Sequence, residues 1–381
     1  MIKKRIMLVF GTRPEAIKMA PLFHKLKENS DLFETLVCVT AQHRKMLDQV
    51  LNIFNIVPDI DLNLMKDNQT LSELSSNIIT SMGKVFESYK PDLVLVHGDT
   101  TTATFTAISA FYNHIPIGHI EAGLRTNDIF SPFPEEFNRQ VISKISNYNY
   151  APTKSSSDNL IKEGVNQNRI FITGNTVIDS LFWVLNKIEK NSEILNSTET
   201  LLNSKLNFNW KNTKFILITG HRRENFGDGF IQICKAILDL AIIYPNIHFV
   251  YPVHLNPNVV NPVYEIIGKK SNIHLIEPLD YEPFIFLMKF CYIILTDSGG
   301  IQEEAPSLGK PVLVLRDATE RPEAIDAGTV KLVGTDKKKI VDETNNLLND
   351  KEYYSSFTKK SNPYGNGRAS ETIVNFIKKL K

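Results

Sequence analysis

The chain has 381 residues, 42% hydrophobic and 22% charged, which excludes disordered and fibrous classes and calls for two cores rather than one. Forty-three Lys and Arg against 42 Asp and Glu leave a formal net charge of +1. That surplus is too small for general nucleic-acid binding, although one local positive site would hold a small anion. Cys38, Cys234 and Cys291 are far apart, sit in apolar stretches and form no Cys-x-x-Cys pair, so they read as reduced, buried thiols of a reducing compartment. The basic start is followed by an apolar run (6–10) too short for a signal peptide. The longest apolar stretch (284–295) is broken by Lys289 and falls short of a membrane span. A cytoplasmic location without membrane partners is expected.

In chain order, short β-branched runs appear at 6–10, 36–39, 93–96, 115–120, 170–173, 215–219, 248–253, 292–295 and 312–315. Segments with helical spacing lie between them, among them 17–26, 71–89 and 231–243. Fully apolar strands alternating with helices predict parallel sheets covered on both faces, an α/β class. A polar stretch (186–213) separates two such series, the first ending near Gly174 and the second starting at Phe215. Two doubly wound, Rossmann-like domains facing across a cleft are therefore expected, 1–173 and 174–364. Ligands of such sheets bind beyond the carboxyl ends of the strands, so the strand-end loops carry the candidate chemistry.

The first such loop, Gly11-Thr12-Arg13-Pro14-Glu15-Ala16-Ile17-Lys18, turns tightly into a helix whose N-terminus would favour an anion, with Arg13 and Lys18 adding charge. An ordinary capped junction would look similar, and the Gly-x-Gly-x-x-Gly dinucleotide fingerprint is absent. The run 93–102 ends in His97-Gly98-Asp99, two like-facing side chains, where Asp99 alone would read as a helix cap. The run 118–126 repeats the pattern with His119-Ile120-Glu121, so two adjacent strands deliver carboxylates to one rim. In Ser131-Pro132-Phe133-Pro134-Glu135-Glu136-Phe137-Asn138-Arg139, Glu135 and Arg139 stand four apart on a helix, where a solvated ion pair is the plain alternative. Asp99, Glu121 and Glu135 together suit proton transfer.

In the second series, Gly220-His221-Arg222-Arg223-Glu224-Asn225 is a plausible phosphate clamp. Asp297-Ser298-Gly299-Gly300 opens a helix whose amides could reach a diphosphate, with Glu304 a turn further on to take a ribose hydroxyl pair. Arg-Pro-Glu-Ala-Ile occurs at both 13–17 and 321–325, either an echo of duplication or shared helix-start chemistry. Diphosphate donors on one wall and carboxylates on the other are the layout of an enzyme for a nucleotide-activated sugar.

Nine separated motifs then carry a resemblance over essentially the whole length: GTRPEAIKMAPL (11–22), TAQHRKMLDQV (40–50), HGDTTT (97–102), HIEAGLRT (119–126), SPFPEEFNR (131–139), GNTVID (174–179), HRREN (221–225), DSGGIQEEAPSLGKPVL (297–313) and ERPEA (320–324). The chain resembles the non-hydrolysing UDP-N-acetylglucosamine 2-epimerases. The resemblance implies a GT-B-like pair of domains with a C-terminal helix (365–381) returning to the first, a homodimer, no cofactor and no metal. It also implies interconversion of UDP-GlcNAc and UDP-ManNAc for surface polysaccharide, through elimination of UDP to 2-acetamidoglucal and re-addition. By motif, Asp99, Glu121 and Glu135 are acid–base candidates, with Lys18, Arg139 and His221 orienting them or stabilising the leaving diphosphate. Arg13, Ser298, Gly299, Gly300 and Glu304 would hold UDP, with Phe284 at the uracil. A second-nucleotide site of some bacterial members resembles Gln42, His43, Arg222 and His254 here. Lys45 and Asn68 stand where Gln and Arg are usual, so weakened or absent activation is expected. A hydrolysing 2-epimerase, a GT-B glycosyltransferase, a metal-dependent phosphoesterase built on the His-x-acid pairs and a non-catalytic sensor are the rival readings.

Overall fold

Strands apolar on both sides need cover on both faces, and the chain supplies it by following most strands with a helix. The computed structural model describes residues 3–41, 44–66, 68–268 and 270–380. The chain divides into two units, Met1–Ser180 with Tyr364–Lys381, and Leu181–Pro363.

The first unit holds seven parallel strands: β1 (Lys4–Phe10), β2 (Phe33–Val39), β3 (Ile60–Asp61), β4 (Leu93–His97), β5 (Ile117–Ile120), β6 (Tyr148–Ala151) and β7 (Ile170–Ile172). Their order is β3-β2-β1-β4-β5-β6-β7, with β1 set against β4 from Ile6 opposite Leu93. Met7, Val9, Val94 and Val96 meet Ile78 and Met82 of the helix Leu71–Tyr89 and Ala103 and Ala107 of the helix Thr101–Tyr112 in one buried cluster. The helix Ala369–Lys379 returns to this unit, as expected from the sequence. Its first amides, of Ala369 and Ser370, donate to the Asp179 carboxylate at 3.1 and 2.8 Å, the anion at a helix N-terminus that the macrodipole favours. The Phe376 ring lies 4.4 Å from Phe171.

The second unit holds β8 (Phe215–Thr219), β9 (His248–Pro252), β10 (Ile273–Ile276), β11 (Ile293–Thr296), β12 (Val312–Val314) and β13 (Val330–Leu332), all parallel, in the order β10-β9-β8-β11-β12-β13. Ile216, Ile218, Phe249, Ile293 and Leu295 bury against Phe230, Ile233, Ile237 and Leu240 of the helix Asp228–Ile243. The polar stretch 186–213 is more than a separator: it belongs largely to the helices Thr176–Lys190 and Ser192–Lys205. Their polar residues satisfy exposed faces.

Each sheet reverses its winding once, between β1 and β4 in the first and between β8 and β11 in the second. Crevices for ligands open at the carboxyl ends of strands at such points. Among the described residues, no helix is long and apolar enough to cross a membrane.

Candidate active site

At the first reversal the loops after β1 and β4 are stapled together by one buried carboxylate. Glu15 accepts from the Gly11 and Thr12 amides at 3.0 and 2.8 Å, from the Thr12 hydroxyl at 2.8 Å and from the Thr100 hydroxyl at 2.6 Å. Burial pushes its carboxyl above the ordinary range, and these hydrogen bonds only partly pull it back. Gly11 has no alternative: a Cβ there would stand 2.1 Å from Thr40 Oγ1 and 2.7 Å from Thr102 Oγ1. Arg13, the first residue of the helix Arg13–Lys27, is exposed at the same loop.

Glu121, just past β5, has a left-handed backbone (φ 63°). Its carboxylate is nearly buried and accepts from Lys18 Nζ and from Asn175 Nδ2, the latter at 2.7 Å. His97 Nε2, at the end of β4, is 3.8 Å from the same oxygen. Burial first, and Lys18 in addition, hold the His97 ring neutral, its pKa pushed down to about 3 against the pull of Glu121. One strand over, His119 donates from Nε2 to the Gly98 carbonyl at 2.7 Å and is pushed down to about 4, chiefly by burial. That bond braces the turn carrying Asp99.

Asp99 is no helix cap, because Thr100 caps the helix Thr101–Tyr112. Instead Arg139 grips the Asp99 carboxylate through Nε and Nη2 at 2.8 and 2.7 Å, while Asn138 donates to the Asp99 carbonyl at 2.8 Å. Burial alone would lower the Arg139 pKa, but Asp99 and Glu136 outweigh it and raise it. The partner of Arg139 within its own helix is Glu136 at 3.1 Å, fully buried and also accepting from the Thr126 amide. Glu135, read as the i, i+4 partner, makes no such pair and sits half-exposed at the start of the helix Glu135–Ile145.

At the second reversal, Asp297 follows β11 and is fully buried. Its Oδ2 accepts from the His221 and Arg222 amides, both at 2.8 Å, and so sets the loop after β8. Ser298 starts the helix Gly299–Glu304 with no side-chain cap, which leaves the first amides for another acceptor. A Cβ on Gly299 would meet the Arg321 guanidinium at 2.6 Å, and Arg321 Nε in turn donates to buried Glu303 at 2.7 Å. A Cβ on Gly300 would meet Ser298 Oγ at 4.0 Å, an ordinary contact. Glu304 is buried and accepts from Tyr281 Oη at 2.7 Å, on the helix Tyr281–Phe290 that also carries half-buried Phe284. Arg316 joins Glu224 of the loop after β8, at 2.5 Å, to Glu320 of ERPEA, at 3.0 Å. Burial would raise the Glu320 carboxyl, but Arg316 more than reverses this and holds it at about 2.

The structure thus brings Lys18 to Glu121 and Arg139 to Asp99 in one unit, and His221 to Ser298, Gly299 and Gly300 through Asp297 in the other. Glu135 is left apart from these pairs. Gln42 and His43 lie outside the described residues. Arg222 is half-exposed, His254 is exposed with its ring stacked 5.0 Å from that of His221, and Lys45 and Asn68 are exposed. Among the described residues, no group of three or more His, Cys, Asp or Glu is arranged to hold a metal ion. Sequence reasoning gave no role to Glu15, Glu136, Asn175, Asp297 or Arg321. Each lies inside a quoted motif; burial of a polar side chain, which no motif displays, marks Glu15, Glu136, Asn175 and Asp297, and the bond to buried Glu303 marks Arg321.

Carboxylates clamped by cations at the reversal of one sheet, and uncapped amides with arginines at the reversal of the other, mark a doubly wound α/β protein whose charged loops gather at the strand ends of each unit. A profile for UDP-N-acetylglucosamine 2-epimerase matches residues 24–378. The chain is 56% identical over 378 residues to the UDP-N-acetylglucosamine 2-epimerase of Campylobacter jejuni, covering 99% of this chain and 98% of that one. It is 53% identical to that of Escherichia coli K12, covering 98% of each. The crystal structure of UDP-GlcNAc 2-epimerase from Neisseria meningitidis bound to UDP-GlcNAc superposes with a TM-score of 0.90 at 52% identity, covering 99% of this chain and all of that one. The chain belongs to the UDP-N-acetylglucosamine 2-epimerase family.

Proposed function

We propose that the protein interconverts UDP-GlcNAc and UDP-ManNAc without hydrolysis. The C2 proton of the sugar has no adjacent carbonyl to acidify it, so direct deprotonation is unfavourable. Removing it as the C1–O bond breaks puts the electron pair into a C1–C2 double bond, giving 2-acetamidoglucal and UDP. Re-addition of UDP at C1 with protonation of C2 from the other face completes the inversion.

The reading rests above all on Glu121, held by Lys18 and Asn175 with the neutral His97 ring 3.8 Å away, beside Asp99 held by Arg139 on the neighbouring strand end. Two carboxylates in unlike surroundings suit opposite proton transfers. We assign Asp99, Glu121 and Glu135 to acid–base chemistry, with Lys18, Arg139 and His221 orienting them or countering charge on the departing diphosphate. Arg13, Ser298, Gly299, Gly300 and Glu304 hold UDP, and Phe284 packs at the uracil. The three free, buried thiols, each pushed up to about 12 chiefly by burial, support a cytoplasmic setting. A homodimer serving surface-polysaccharide synthesis completes the proposal.

Assays of Asp99→Asn and Glu121→Gln with UDP-GlcNAc test it. Each lowers turnover by roughly 10²–10⁴-fold, the usual cost of a lost acid–base group, with UDP affinity near normal. Near-wild-type turnover in both variants contradicts the assignment.

A further inference from the structure

One buried acid of the second unit has half of its carboxylate unused. Asp297 is fully buried, and its Oδ2 accepts from the amides of His221 and Arg222 and from Asn225 Nδ2 at 3.3 Å. Its Oδ1 has no hydrogen-bond partner. A buried carboxylate oxygen left without a donor is expensive, more so than a neutral acceptor. His221 Nδ1 lies 3.9 Å from this oxygen, on a side chain that is 43% exposed. The same carboxylate pins the backbone from which that side chain springs, so a small rotation of the ring closes the gap. Tyr251 cannot compete for Oδ1, because its hydroxyl donates to the Gly220 carbonyl at 2.8 Å. The His254 ring stacks on one face of the imidazole, 5.0 Å between centroids with an interplanar angle of 13°.

We infer that Asp297 is the positioning residue of His221: its Oδ1 accepts the Nδ1 hydrogen, fixes the tautomer and turns Nε2 toward the substrate. A carboxylate behind an imidazole is a recurrent way to orient a working histidine. The inference rests on the proposed role of His221 at the leaving diphosphate, and its test separates the two.

The test is a double-mutant cycle in the full-length enzyme with Asp297→Asn, His221→Asn and the pair. The isosteric amide retains an oxygen for the two backbone donors. Asp297→Asn is expected to lower kcat roughly 10- to 100-fold with KM and UDP affinity within about twofold of wild type. In the His221→Asn background the same change is expected to cost less than about twofold. Equal costs in both backgrounds, or a fall in UDP affinity that tracks the loss of kcat, would overturn the inference while leaving His221 in place. Wild-type turnover of His221→Asn would overturn the reading beneath it. A crystal structure of the unmutated protein with UDP gives an independent readout. Nδ1 is expected within about 3.2 Å of Oδ1 there, and a separation still near 3.9 Å would contradict the inference.

Discussion

Glu121 rests where few residues other than glycine do, and a left-handed backbone of this kind costs about 1–3 kcal/mol. The hydrogen bonds from Lys18 and Asn175 offset that cost and aim the carboxylate, so the strain falls on a residue proposed for acid–base chemistry. Its neighbours His97 and His119 are buried neutral, with pKa values pushed down to about 3 and about 4 chiefly by desolvation. Their unfolded counterparts take up protons near the ordinary value of 6.5. Native stability is therefore whole above about pH 6.5 and falls as the pH drops toward 4, each histidine contributing a loss on the order of 2 kcal/mol by pH 5. Urea unfolding at pH 7 and pH 5 checks this, and equal stabilities would contradict two buried neutral rings. Arg139 stands between the Asp99 and Glu136 carboxylates. Arg139→Lys cannot span both, so a turnover loss of roughly tenfold or more and a lower Tm are expected, in steady-state assay and thermal melt.

Among the elements, the tight strand–helix turns are the least forgiving. Gly11→Ala drives a methyl into Thr40 and Thr102, and a destabilisation of about 1–3 kcal/mol is expected from denaturant unfolding. Gly83, in the middle of the helix Leu71–Tyr89, has nothing within 4 Å of an added Cβ. Gly83→Ala is expected to stabilise by about 0.4–1 kcal/mol in the same experiment. The sequence revealed strands best where both faces are apolar, as in β1, β4, β8 and β11, and the helix Leu71–Tyr89 matched its periodicity. It concealed four strands. β6, Tyr-Asn-Tyr-Ala, lacks β-branched residues and buries Asn149. β10 interrupts its apolar run with His274, β3 spans two residues, and β13 is a short edge strand containing Lys331.

Across the whole molecule, one device is used twice: a parallel sheet that reverses its winding and places two loops side by side. Motif order made the fold and the family legible because the reversals dictate which loops must carry Gly, Pro and charge. Pairings were less legible. Glu135 and Arg139 have the right spacing, yet Arg139 turns to Glu136 and Asp99, because the buried Glu136 needs a cation more than a half-exposed Glu135 does. Asp297 read as the opening of a phosphate loop, whereas its burial makes it the support of the neighbouring one. Such choices are set by desolvation, which depends on tertiary context and has no sequence spacing. The proposed elimination and re-addition require proton exchange at C2 of the sugar. Proton NMR of the purified enzyme with UDP-GlcNAc in D2O is expected to show UDP-ManNAc appearing with deuterium at C2. Free ManNAc accumulating with UDP, or no exchange at C2, would contradict it.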